Sequence, residues 1–239
     1  MFNLHTISTG SKGNCYLLAT LAWYVLLDAG VPINQIRKFL FEQGLSLSDI
    51  WFCFLSHAHA DHSKAVKKLL EHGVALVTSP GTYSSLNLSK GYWDLNLMKP
   101  FEKKTDIEKE ISIKTFPLIH DDIEPIGLVI DRREDRFVYI TDTVYIPYRF
   151  KGVTHLAVEC NYVDEILLQS NLNGTVRQRI LKTHLGLRGL LLWLKRNKPY
   201  MPNLQKVWIV HLSDTHSDEE MIYREVKACL DGKVEVTIC

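Results

Sequence analysis

Basic residues bring almost no surplus to this chain: 28 lysines and arginines stand against 27 acidic residues, for a formal net charge of +1. That excludes a protein that wraps nucleic acid by bulk positive charge, although a single phosphate-bearing substrate needs only local cations. Cysteines are few and scattered, at Cys15, Cys53, Cys160, Cys229 and Cys239, an odd number without a CxxC pair. This spacing argues against a disulfide framework and a thiolate zinc finger, and suits reduced thiols. The opening MFNLHTIS lacks a basic stretch leading into a long apolar segment, and no apolar run reaches membrane-spanning length. A cytoplasmic location without membrane attachment is the expectation. Repeats and low-complexity segments are missing too.

What the chain does have is core material. With 239 residues, 46% of them hydrophobic, it can bury a core without metals or disulfides as staples, and one domain over residues 1–239 is expected. Short alternating stretches at 2–8, 15–20 and 23–28 flank the turn-forming TGSKGN and predict a β-meander. Residues 33–43 have helical periodicity ending at Gly44, and IWFCFLS at 50–56 predicts a strand buried on both faces. A helix over 64–72, a strand over 75–79 and a weaker helix over 82–88 continue a βαβα pattern. Strands return with ISIKTFPLI, then IGLVID and FVYITD as a hairpin about the charged turn at 132–135, then HLAVE. Helices over 175–182 and 187–195, a strand over 206–210, a helix over 218–230 and a strand over 233–238 complete the chain. Residues 90–110, polar and poorly periodic, predict an excursion. The class is α/β (α+β), with an αββα sandwich of two mixed sheets flanked by helices as the expected architecture.

The segment LSHAHADHS places His57, His59, Asp61 and His62 within six positions after the buried strand. Strand side chains alternate, so His57 and His59 can point the same way, while Asp61 and His62 begin the next helix. Imidazoles and a carboxylate in this number suit two adjoining divalent-metal sites; surface polar residues in a strand-to-helix loop are the plainer alternative. Further donors end apolar strands: His120 ends FPLIH, Asp142 ends VYITD and His211 ends VWIVH. Ligands at carboxyl ends of strands converge on one sheet edge. His184, in THLGLRG, precedes a helix and could protonate a leaving group or cap the helix. His5, His72, His155 and His216 lack such settings.

HxHxDH followed by a distant His, Asp and His resembles the metallo-β-lactamase superfamily. Within it, TGSKGNC, IHDDIEPIG, YITDT, ECN at 159–161, RQRILKTHLG and HLS resemble the WalJ/YycJ branch, close to RNase Z-type phosphodiesterases. The resemblance implies that Asp28, in LLDAG, supports the metal-binding loop. It implies His57, His59 and His120 on one metal, Asp61, His62 and His211 on a second, and Asp142 bridging them. Zinc is the default for such donors and manganese is accommodated. Asp61 and His184 then take catalytic roles as proton carriers. Ser213, Lys12 and Asn14 are candidate phosphate contacts, with a turn or a helix cap as the alternative. The chain departs from the branch at Tyr162, at THLGL and after His211, where substrate is read.

A metal-dependent phosphodiesterase or nuclease acting on DNA or RNA is the leading expectation. Phosphodiesterase action on cyclic mononucleotides or other small nucleotide messengers is the alternative, since the candidate groove cations, such as Lys182, Arg188, Lys195 and Arg196, are scattered. Hydrolysis of a small ester, thioester or lactone shares the metals without needing His184, and a binding module with a vestigial site ranks last. The resemblance also suggests a homodimer.

Overall fold

A computed structural model describes residues 1–88 and 95–239. The chain divides into two compact units, Met1–Lys103 with Thr115–Pro117 and Asp122–Ile126, and Lys104–Lys114 with Leu118–Asp121 and Gly127–Cys239.

The first unit carries a six-stranded mixed sheet in the order β1-β2-β3-β4-β5-β6. These strands are β1 (Asn3–Ser8), β2 (Cys15–Ala19), β3 (Tyr24–Leu27), β4 (Ile50–Phe54), β5 (Ala75–Thr78) and β6 (Leu95–Leu97). The first three form the antiparallel meander; β3, β4, β5 and β6 are mutually parallel. Helix α1 (Ile33–Glu42) follows β3 and buries Ile36 and Leu40, one turn apart, against the sheet. The helix expected over 64–72 is α3 (Val66–Glu71), and a separate turn, α2 (Ala60–Ser63), precedes it and carries Asp61 and His62. Between them Ala65 N–H donates to the Ala29 carbonyl, which ties the junction to the chain leaving β3. Val66, Leu69 and Leu70 of α3 join the core with Leu17, Leu26, Cys53 and Leu76. Helix α4 (Pro80–Ser85) starts earlier than the periodicity suggested. Ser79 caps it by accepting from Thr82 N–H, and Pro80 fits the first turn, where no N–H is needed.

The second sheet has seven strands in the order β13-β12-β11-β10-β9-β8-β7. They are β7 (Lys103–Asp106), β8 (Ile111–Pro117), β9 (Ile126–Arg132), β10 (Asp135–Ile140), β11 (His155–Glu159), β12 (Lys206–Val210) and β13 (Glu235–Ile238). The expected hairpin is the antiparallel β9–β10 pair, whereas β10, β11, β12 and β13 are parallel. Four helices belong to this unit: α5 (Asp164–Gln169), α6 (Gly174–Thr183), α7 (Leu187–Asn197) and α8 (Glu219–Cys229). Helix α8 packs on α7 and β13, burying Ile222 and Val226. Trp208 anchors the core, with the His155 ring stacked 6.0 Å away and Phe137 edge-on at 6.3 Å. Burying two aromatics beside that indole is worth several kcal/mol of apolar transfer.

Two mixed sheets flanked by helices are the α/β architecture expected. Part of the predicted excursion, residues 90–94, lies outside the described residues; the remainder contributes β6 and β7. Among the described residues no helix is long and apolar enough to cross a membrane.

Candidate functional site

In the first unit the parallel strands β3, β4 and β5 end on one sheet edge. Asp28 leaves β3 in the left-handed region at φ 56°, a conformation aspartate tolerates better than most residues, and is fully buried. Its Oδ1 accepts from Ser56 N–H at 2.8 Å, and its Oδ2 accepts from Ser56 Oγ at 3.1 Å and His62 Nδ1 at 2.9 Å. Ser56 Oγ, its proton given to Asp28, in turn accepts from His57 Nδ1 at 2.9 Å. One buried carboxylate thus assigns the Nδ1–H tautomer to both His57 and His62 and turns their Nε2 lone pairs into donors for a metal. The His57 ring lies 4.8 Å from that of His59 and 4.2 Å from that of His62. Asp61, partly exposed, has Oδ2 3.6 Å from His62 Nε2.

Backbone bonds hold this loop in place. Asn14 N–H donates to the Asp61 carbonyl at 2.7 Å, Ala29 N–H to His62 at 2.7 Å, and Gly30 N–H to Asn14 at 2.8 Å. Asp122 Oδ2 accepts from Ala58 N–H at 2.6 Å. The TGSKGN turn therefore braces the histidine loop, and this corrects the expectation for Asn14. Its side chain is buried rather than offered to a phosphate, bonded to Gly10 at both amide atoms and to His62 Nε2 at 3.1 Å. Ser11 and Lys12 are exposed at the tip of the turn.

In the second unit β10, β11 and β12 also end together, and their register sets Val158 beside Ile140 and Glu159 beside Val210. Asp142, Glu159 and His211 follow from those ends, and His184 caps α6. One ligand atom from each of Asp142, Glu159, His184 and His211 lies within 4.8 Å of the others. His120 approaches through its own loop, where Ile119 N–H donates to Thr143 Oγ1 and Val144 N–H to the Ile119 carbonyl. His120 donates Nδ1–H to the Thr183 carbonyl at 2.8 Å, and its Nε2 lies 3.5 Å from Asp142 Oδ2. The resulting tautomer again makes Nε2 the donor to a metal.

Glu159, which the sequence reading left out of its ligand set, is the hub of this half. It is fully buried and accepts four N–H groups: His184 Nδ1 at 2.7 Å and His211 Nδ1 at 3.1 Å on Oε1, Thr143 N and Leu185 N at 3.0 Å each on Oε2. A carboxylate so saturated orients imidazoles rather than ligating metal. Burial, the largest effect, raises its pKa, but His184 beside it and the donated bonds hold the carboxyl below its usual range. Burial alone would lower His184, and the Glu159 charge outweighs it, raising His184 above the ordinary histidine value. His120 goes the other way, lowered mainly by burial. Glu159 ends HLAVE just as Asp142 and His211 end their strands, so the same strand-end rule identifies it.

Ser213 is half-buried, its Oγ accepting from His216 N–H at 3.3 Å and bonded to His216 Nδ1 at 3.2 Å; Asp218, not Ser213, caps α8. Tyr162, the departure after ECN, is buried over Gly186, where an added Cβ would meet its ring at 2.3 Å. This fit requires glycine at 186. Burial pushes the Tyr162 phenol up to about 12, so it stays protonated.

The donor chemistry, imidazole nitrogens of assigned tautomer with carboxylates beside them, fits divalent metal ions. Asp28→Asn is expected to weaken metal affinity by about 10–100-fold with the fold retained, because an amide cannot accept both Ser56 Oγ and His62 Nδ1–H through its nitrogen. Metal content after dialysis against a graded chelator checks this; wild-type retention would show that Asp28 does not tune the ligands.

A family model described as the β-lactamase superfamily domain matches residues 24–211. Similar proteins include the exodeoxyribonuclease WalJ of Streptococcus pneumoniae, 28% identical over 236 residues, covering 93% of this chain and 86% of that protein. Another is the exodeoxyribonuclease YycJ of Bacillus anthracis, 23% identical over 235 residues, covering 95% of this chain and 88% of that protein. Among solved structures, the metallo-β-lactamase fold protein YhfI from Bacillus subtilis superimposes with a TM-score of 0.74 at 17% identity, over 99% of this chain and 95% of that one. With the donor-bearing strand ends, the shared fold and a match across most of its length, the chain belongs to the metallo-β-lactamase superfamily.

Proposed function

We propose that this chain is a metal-dependent phosphodiesterase of the nuclease type, acting on DNA or RNA, within a single functional domain over residues 1–239. The observation that carries it is the His184–Glu159 pair: an imidazole anchored through Nδ1–H at 2.7 Å, with Asp142 Oδ2 3.6 Å away. A thioester releases a thiolate, which leaves without a proton donor, whereas a phosphodiester releases an alkoxide that benefits from one. The names of the pneumococcal and Bacillus anthracis relatives, both exodeoxyribonucleases, support the same reading.

In this reading His57, His59 and His120 would hold one ion, Asp61, His62 and His211 would hold a second, and Asp142 would be available to both. Zinc is the default, with manganese accommodated by the carboxylates. Bound divalent ions supply Lewis acidity toward phosphoryl oxygens and acidify water. Asp61 accepts the proton of the attacking water. His184, its Nδ1–H committed to Glu159, gives a proton from Nε2 to the leaving oxygen, and the buried carboxylate stabilises the imidazolium meanwhile. Scattered cysteines without a disulfide partner support a cytoplasmic location, and the family resemblance suggests a homodimer, which sedimentation of the purified chain tests.

Protein stripped with a chelator and reloaded with zinc or manganese, given 5′-labelled single-stranded DNA, RNA and cyclic mononucleotides, tests the reading. Turnover of the strands is expected only in the reloaded protein, with His59→Ala lower by about 100-fold or more. Wild-type turnover by His59→Ala, or turnover restricted to cyclic mononucleotides, would overturn it.

A further inference from the structure

Helix α6 runs from Gly174 to Thr183 and stops at His184. Thr175, Gln178, Arg179 and Lys182 lie three, four and seven positions along it from the first, so they share one longitudinal face, and all are exposed. This face walls a cavity of ≈ 440 Å³ that His120 and Asp121 also line. Asp121 joins wall and histidine: its Oδ2 accepts from Arg179 Nε at 2.9 Å, and its Oδ1 lies 3.2 Å from His120 Nε2. The cavity therefore begins at a residue of the proposed metal set and continues along a helix face carrying two cations, an amide and a hydroxyl.

We propose that this α6 cavity binds the sugar-phosphate backbone of a single nucleic-acid strand beside the scissile bond. The inference rests on the nuclease reading and deepens it by giving the strand a path. Seven residues at 1.5 Å each make a wall of about 10 Å; a strand stacked as in a duplex carries a phosphate roughly every 3.4 Å of rise and an extended one carries them more sparsely, so the wall spans about two to three phosphates. Arginine matches phosphate with a planar fork of which the Asp121 bond engages Nε; lysine offers a point charge; glutamine and threonine are neutral donors to non-bridging oxygens. None of these reads a base, so binding is indifferent to sequence. A mononucleotide, with its one phosphate at the metal set, would leave Thr175 and Gln178 without a role. The near-neutral chain charge is no obstacle, because a path this short needs only the two cations it has.

The test is steady-state hydrolysis by metal-loaded enzyme of labelled oligodeoxythymidine about ten nucleotides long, long enough to cover the wall. Lys182→Ala is expected to raise KM about threefold and Gln178→Glu about tenfold, with kcat within about twofold, and Lys182→Ala should flatten the slope of log(kcat/KM) against log salt by about 0.7. Lys38→Ala, the same loss of charge on α1, should leave KM and slope as in wild type. Hydrolysis of the strand by all variants with wild-type KM overturns the groove alone, as does an equal KM rise for a dinucleotide too short to reach Gln178. Failure of the wild-type enzyme to cleave the strand at all overturns the nuclease reading itself.

Discussion

Glu159→Leu is expected to cost about 3–5 kcal/mol of stability and to lower the melting temperature by about 10 °C. The residue touches no solvent, and its two oxygens receive His184 Nδ1–H, His211 Nδ1–H and the amides of Thr143 and Leu185. Each buried donor left without an acceptor costs about 1–3 kcal/mol, and partial relaxation together with relief from the neighbouring Asp142 charge keeps the total below the simple sum. Glu159→Gln separates architecture from charge. Its amide fits the space but presents two hydrogens where two N–H groups already point, so about 2 kcal/mol should be lost while the chain still folds. In that variant His184 loses its anionic partner, and kcat should fall by about 100-fold, with KM moving less. Urea midpoints and steady-state rates measure both. A Glu159→Leu protein that melts with wild type would show that the four donors find other acceptors and that Glu159 is no hub.

Gly30→Ala should be nearly as damaging for a steric reason. A Cβ at residue 30 would lie 1.7 Å from the Asp61 carbonyl oxygen and 2.8 Å from Asn14 N, the two partners of a 2.7 Å hydrogen bond. Both are backbone atoms, so no rotamer change relieves the contact; the loop bearing His57, His59, Asp61 and His62 has to move. A cost on the order of 3 kcal/mol is expected, the upper range for overpacking, together with loss of the metal that these residues are proposed to hold. Metal stoichiometry and melting temperature report the two effects independently. Full metal content at the wild-type melting temperature would mean that the 28–31 segment yields without disturbing the histidine loop.

Much of this was legible before any coordinates. Buried parallel strands are continuous apolar runs, so IWFCF, HLAVE and KVWIV announce themselves, and polar residues at their ends stand out for that reason. Strands β6 and β7, with sequences LNL and KKTD, were invisible because three residues, or four that are all polar, carry no readable period. Helix α5, six residues of DEILLQ, is too short for one.

The sequence by itself determined the α/β class, the order of the longer elements and the strand-end donors His120, Asp142 and His211, because alternation, apolar runs and HxHxDH are local signals. The tertiary structure alone decided what those residues are bonded to. It assigned the tautomers of His57 and His62 through Asp28, turned Asn14 from a surface contact into a buried brace, and placed Glu159 between His184 and His211, 25 and 52 positions away in the chain. The physical reason is that a hydrogen bond depends on which atoms approach within about 3 Å, and that is set by strand register and packing across distant segments rather than by any pattern of neighbours along the chain.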